Sequence, residues 1–473
     1  MEEIIKFFHP FVNVLVLLWK IISPLWWIWG PLIVLSAIIN NWLSYVRRKY
    51  WQSINWTILE IRPSSQAMRS PKAIEQILHS LWNIFGSVSR SEERDISIDQ
   101  LPSLPHKKQG VNSFFNKQLL KWNTIKEKFL HGAIQDYFSL EIISVSGEIH
   151  FLIRFPQIYQ KIVESQIYSQ APQVELIEVE DYTKLIPPSP IQKGWDVWGT
   201  KFILSKDDPY PIRTYPDFID AVSGSAPEPE GIIDPLTYLI EALGKLQADE
   251  HIWLQIIARP VDDNWKEDGR KLVNKIIGRI EKKELSLIVA EIKGWVEASK
   301  NVINVLFHGE AIPAEEPEKD RKVGQSLISH LPPGEKEGVK AIENKISKKG
   351  FETKINLIYL SPKKIFNKST VAPIIVFIKQ FSSSNSFVSD NDITTLPANK
   401  LLSQSELLRR KEKIIKLCRG RSFWSDEESD EGSILNSEEI ASIFHLPFIP
   451  IESPAIPQIK YKKVPPPPEL PIE

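Results

Sequence analysis

The stretch from Phe7 to Leu43 is almost unbroken apolar sequence, FFHPFVNVLVLLWKIISPLWWIWGPLIVLSAIINNWL, and it stops at Arg47, Arg48 and Lys49. A helix crossing a bilayer needs roughly 20 apolar residues, and Ser23–Val46 supplies that length without a charge. Trp26, Trp27, Trp29 and Trp42 fall where interfacial aromatic belts are expected, and the basic cluster marks a cytoplasmic flank. The expectation is an anchor in the inner (cytoplasmic) membrane with everything after Tyr50 on the cytoplasmic side. Pro24, Gly30 and Pro31 interrupt the run and Lys20 charges its first half, so one span over 24–45 is favoured, preceded by an interfacial or re-entrant segment near 4–20. A short hairpin with both ends cytoplasmic is the alternative. Glu2, Glu3, the length of the apolar zone and the lack of a small-residue cleavage site argue against a signal peptide.

The rest of the 473-residue chain is long enough for two or three domains. Lys+Arg number 58 and Asp+Glu 59, so no overall field points to nucleic acid. A single cysteine, Cys418, excludes both a disulfide framework and a cysteine-ligated metal site.

Within 51–185 the order of elements is readable. INWTILEIRP (54–63) alternates like a strand, and SPKAIEQILHSLWNIF (70–85) starts a helix with Ser70 as N-cap and Pro71 at the first helical position. After a polar insertion over 87–132, DYFSLEIISV and EIHFLIRFP form two strands joined at Ser146–Gly147. Residues 156–170 read as a helix and 173–182 as a closing strand. This β-α-β-β-α-β order predicts a ferredoxin-like unit. Beyond the linker 185–194, the region 195–381 repeats the logic as a second α/β unit with a helical insertion. VWGTKFILSKD, HIWLQIIARPV and FETKINLIYLSP are its strands, and PLTYLIEALGKL, EKEGVKAIENKISKKG (ending at Gly350) and VAPIIVFIKQF are helices. The fold expectation is therefore α+β: an anchor (1–50), two ferredoxin-like units, a segment 382–447 holding a basic helix (406–421), an acidic loop and a short helix, and a proline-rich extended tail (448–473).

Chemistry is harder to find. No GxxxxGK[ST], GxGxxG, HExxH or GxSxG pattern is present, and the histidines are scattered, so no catalytic, cofactor or metal residues are assigned and no cofactor is expected. Cys418 lies among Lys416, Arg419 and Arg421, a cationic setting that would lower a thiol pKa. Arg409, Arg410, Lys413, Lys416, Arg419 and Arg421 form the one local basic patch. Its plain reading is a solvated helix face, and its functional reading is contact with anionic lipid or a nucleic-acid backbone.

The series WTILEIRP…SPKAIEQILHSLW, GEIHFLIRFPQIYQKIVESQIYSQAPQVELIEVEDY, HIWLQIIARP and LNSEEIASIFHLP…SPAIPQIKYKKVPPPPELP resembles the amino-terminal, non-ATPase region of membrane-anchored type IV secretion (conjugation-type, HerA-like) ATPases of uncultivated small-genome bacteria. In that family a comparable proline tail leads into a P-loop motor, whose ATP-binding residues have no counterpart here. The resemblance implies a non-enzymatic, membrane-anchored docking or scaffold component that recruits a separately encoded P-loop ATPase, with self-association expected. A membrane-tethered nucleic-acid-binding protein using 406–421 is the alternative, and an enzyme of unrecognised type the third reading.

Overall fold

The computed structural model describes residues 26–63, 71–94, 135–220, 234–277, 332–395, 403–423 and 432–447. Nine strands lie along the chain: β1 Trp56–Arg62, β2 Phe138–Val145, β3 Glu148–Pro156, β4 Glu175–Glu178, β5 Trp195–Leu204, β6 His251–Pro260, β7 Gly350–Pro362, β8 Phe387–Ser389 and β9 Ser433–Asn436. They join in one antiparallel sheet of order β4-β1-β3-β2-β6-β7-β5-β8, with β9 beside the start of β7. The helices are α1 Trp26–Ser53, α2 Pro71–Arg94, α3 Gln160–Gln170, α4 Tyr215–Asp220, α5 Pro235–Gly244, α6 Asn264–Ile276, α7 Pro333–Ser347, α8 Ala372–Lys379, α9 Gln404–Gly420 and α10 Ser437–Ile443.

Most of these elements form for local reasons. Ser146 (φ 53°) and Gly147 (φ 89°) make a two-residue turn with both centres at positive φ, the geometry that matches strand twist in tight hairpins. The α5 start is capped by the Asp234 carboxylate, which accepts from Leu236 N–H, with Pro235 at the first helical position. Asn436 and Glu439 form a reciprocal capping box at α10.

The two expected ferredoxin-like units are not separate bodies. Each half does run fourth–first–third–second strand from its outer edge, but β2 pairs with β6 from Phe138↔Ala258 to Val145↔His251. β2 and β6 are buried along nearly their whole length, so neither presents a polar edge on which a domain could end. One apolar core then runs beneath both halves. It gathers Leu78, Leu81 and Phe85 of α2, Val163 and Ile167 of α3, Leu239 and Leu243 of α5, and Phe377 of α8, with Phe444 after α10, against a single sheet face. The supposed linker 185–194 is also part of the body: Ile186 is buried, and Arg419 donates to the carbonyls of Ile186, Pro187 and Pro188. The architecture is one large α+β sheet rather than two domains.

The expected anchor is corrected as well. Among the described residues no helix is long and apolar enough to cross a membrane. Helix α1 covers the favoured span, but Trp26, Trp27, Trp29 and Trp42 are only weakly apolar, and Asn40–Asn41 and Pro31 dilute the run further. The inner-membrane location and the transmembrane reading of Arg47, Arg48 and Lys49 fall with it; Trp42, Arg48 and Lys49 are simply exposed on α1. The proposed segment 4–20 lies outside the described residues.

Smaller corrections follow the packing. The strand over 173–182 shortens to β4, and Gly350 opens β7 instead of capping a helix; Trp265 lies against it, where a Cβ would sit 2.5 Å from the indole nitrogen. The insertion helices α6 and α7 pack on each other around Val273, Val339 and Ile342. Most of the polar insertion 87–132, the acidic loop and the proline tail lie outside the described residues.

Helix α9 approaches the opposite sheet face most closely at Gly199, where a Cβ would sit 2.7 Å from Ile414. Gly199→Val should force α9 off β5 and cost about 1–3 kcal/mol in urea denaturation, whereas Gly334→Ala, with open space around it, should be close to neutral.

Candidate docking face around helix α9

The register fixes which side chains share the α9 face. Lys201, Asn356, Gln255, Glu141, Leu152 and Glu60 stand in one row across β5, β7, β6, β2, β3 and β1. The next row is apolar, with Ile358, Trp253 and Ile143, and α9 lays Ile414, Ile415 and Cys418 on it. A polar row under an apolar helix is costly unless its groups are paired.

The pairing comes from the end of α9. Arg421 adopts the left-handed conformation (φ 47°), uncommon for a residue with a side chain, and its guanidinium is fully buried. It reaches both Asp181 oxygens at 2.5 Å and stands 3.5 Å from Glu141. Glu141 also accepts from Ser139 Oγ and Tyr182 OH, both at 2.5 Å. Gln255 Nε2 donates to Tyr182 OH and to the Cys418 carbonyl. Arg154, also buried, stacks 3.7 Å over Trp56. One guanidinium, that of Arg421, thus answers both carboxylates. Burial raises the pKa of Asp181, but Arg421 outweighs it and leaves the carboxyl below its usual range; burial pushes Tyr182 and Cys418 up. The expected lowering of the Cys418 thiol is therefore reversed, because the sulfur is sealed from water and that burial outweighs the pull of Arg421, which Glu141 opposes.

The basic patch divides. Arg410 is buried, donating to the carbonyls of Asn391 and Thr394 and to Glu406. Arg419 holds the 186–188 carbonyls, and Arg421 holds the buried Glu141 and the partly exposed Asp181. Lys413 is half-buried, while Arg409 and Lys416 are exposed. Sequence reading missed Glu141, Asp181, Tyr182, Gln255 and Arg154. The legible signal was Glu141, a charge in the middle of an otherwise apolar strand run.

Beside this cluster, α9 and the segment 188–192 enclose an open cleft of about 690 Å³, lined by Pro188, Pro190, Ile191, Ile415, Lys416 and Arg419 among others. Ile191 and Ile415 tie its floor to the apolar cluster of Trp253, and the exposed Lys416 ammonium stands at its lining. A smaller cleft of about 360 Å³ lies between α5 and the start of α8, where Glu250 accepts from Tyr359 OH at 2.5 Å. No group of three or more His, Cys, Asp or Glu among the described residues is placed to hold a metal ion. His150 bonds Glu60 instead, at 2.6 Å.

With this geometry in place, the comparisons give a family. A protein-family profile described as "Domain of unknown function (DUF8128)" matches residues 105–458. The chain belongs to the DUF8128 family. No curated protein matches it. The matched span omits β1, yet β1 lies between β3 and β4, so the structural unit of this DUF8128 protein begins no later than Trp56. The expected assignment to type IV secretion and conjugation is corrected at this point: the family's description names no such function, and among the described residues no helix is long and apolar enough to cross a membrane.

Two predictions follow from the buried groups. Arg421→Met leaves Glu141 and Asp181 uncompensated and should cost about 3–5 kcal/mol in urea denaturation. Burial depresses His251 to about 4, with Asp249 acting the other way, and its Nδ1 has no partner. The unfolded chain takes up a proton near pH 6.5 that the native state refuses. Stability should therefore fall as pH drops from about 6.5 to 4, by at most about 3 kcal/mol, and His251→Phe should remove that increment.

Proposed function

We propose that this DUF8128 protein is a non-catalytic docking component that recruits a separately encoded P-loop ATPase, using the cleft between α9 and residues 188–192. The observation that carries the reading is the division of polar groups at α9. Glu141, Tyr182 and Cys418, the groups able to do chemistry, are buried, and Arg421 engages Glu141 together with the partly exposed Asp181. What faces outward is an apolar floor with the exposed Lys416 and Glu412 beside it, the composition of a recognition surface rather than a reaction centre. The sheet beneath is continuous, so a partner bound there meets a preformed surface and loses little to reordering.

The partner class comes from the resemblance of the quoted segments to the non-ATPase region of HerA-like ATPases. In that reading the region works by placing a motor. Self-association belongs to the same reading, since such motors are rings.

The nucleic-acid reading needs free cations along α9. Arg409 and Lys416 offer two, while Arg410, Arg419 and Arg421 are engaged internally. We favour the protein partner on that ground.

The test uses the purified chain and the purified P-loop ATPase encoded in the same genome. Binding by calorimetry is expected, weakened about tenfold or more by Ile191→Asp and Lys416→Glu, each an anchor or rim change of over 1 kcal/mol. No binding, or binding indifferent to both changes, removes the proposal. Binding of single-stranded DNA that falls steeply with salt and is lost in Arg409→Glu/Lys416→Glu would favour the alternative.

A further inference from the structure

Helix α1 offers a second surface, separate from the cleft. It is 28 residues long, about 42 Å, yet among the described residues it packs along no other helix or strand of its own chain. Of its described side chains, Val46 alone is buried. Its sequence is a poor isolated helix, since Trp, Ile, Asn and Ser are middling helix formers and Gly30 and Pro31 are worse. A helix of such composition is held by the packing of an apolar face rather than by propensity.

The apolar face is present. Val34, Leu35, Ile38, Trp42 and Tyr45 are 46–60 % exposed, and the Trp42 and Tyr45 rings lie 6.2 Å apart along it. Pro31, Leu35, Ile38, Trp42 and Tyr45 follow one another at spacings of 4, 3, 4 and 3 residues. This is the heptad seam of a coiled coil, with Leu35 and Trp42 at a and Pro31, Ile38 and Tyr45 at d. A seam of that period calls for a second helix of the same repeat, because it winds around its partner. Five large side chains exposed to this extent offer roughly 100 Å² each, so two copies would bury about 1,000 Å², the size at which specific interfaces begin.

We propose that α1 pairs with α1 of a second copy as an antiparallel two-helix coiled coil centred between Leu35 and Ile38. Charge and volume both set the direction. Parallel pairing would gather Arg48 and Lys49 of both copies, and would set Trp42 against Trp42 and Pro31 against Pro31 in layers of unequal size. In the antiparallel pair an a position faces a d position. Leu35 then meets Ile38 of the second copy, and Trp42 meets its Pro31, a large side chain against a small one. The two Arg48 positions stand about 35 Å apart, well beyond the screening length of about 8 Å. β1 follows α1 after two residues, so the two sheets stand at opposite ends of the seam, related by a two-fold axis. This gives the self-association of the proposed function a surface, and its test does not involve the cleft.

Sedimentation velocity on the full chain in detergent-free buffer tests the pairing. A monomer–dimer equilibrium is expected, weakened at least tenfold by Ile38→Asp and unchanged by Ser36→Asp, which lies at an outward b position. An equal mixture of Leu35→Cys and isotopically heavy Ile38→Cys chains should, on mild oxidation, give disulfides that join light chains to heavy ones. Disulfides only within the light or within the heavy population overturn the antiparallel pairing. A monomer at every concentration overturns the inference, as does a dimer indifferent to Ile38→Asp. A monomer that binds phosphatidylcholine vesicles through the same side chains overturns it too, by giving the face a lipid occupant.

Discussion

The pairing of β2 with β6 is the contact on which the rest of the structure depends. Each of these strands is the inner edge of a half-sheet, and each is buried along nearly its whole length. Left apart they would expose two long, uncharged edges, the situation sheets avoid. Joined, they place α2, α3, α5 and α8 over one sheet face, so that a single core replaces two small ones. A larger core buries a greater share of its surface, and that advantage compensates for the long-range closure needed to bring Phe138 to Ala258.

The other face is governed by charge. The join places a polar row, centred on Glu141 and Gln255, where it must be covered. Helix α9 covers it and brings Arg421 down in a left-handed turn to neutralise Glu141 and Asp181. Buried pairs of this kind are a weak source of net stability, but they are strict about geometry. Here they register α9, the 181–188 segment and the sheet centre against one another. The cleft beside α9 is the by-product of that registration, since Arg419 holds the proline segment at a distance by three carbonyls.

Local patterns were legible where the reason for an element is local. Alternation gave β1, Pro71 marked a helix start, and Ser146–Gly147 marked the hairpin. The docking face was half legible. The basic residues of α9 stood out, but their roles did not, because a guanidinium bound for Asp181 looks in sequence like one bound for phosphate. The linker 185–194 misled for a related reason: its prolines suit a free connector, yet they also suit a backbone of which one arginine takes three successive carbonyls. The anchor misled through tryptophan, which counts as apolar by area but only weakly by transfer, and so lengthens a run without making it a span.

By itself the sequence determined the alternating strands, the capped helices, their order and the lack of a recognisable catalytic motif, all of which depend on residues within a few positions of each other. Only the tertiary structure decided that two similar halves share one sheet, that Glu141 and Asp181 face Arg421, and which cations of α9 remain outside. Those outcomes rest on contacts between residues more than a hundred positions apart, such as Phe138 with Ala258 or Asp181 with Arg421. Distance of that order leaves no periodicity to read: hydrophobic patterning says that a strand must be covered, not by what, and a charge says that it needs a partner, not which one.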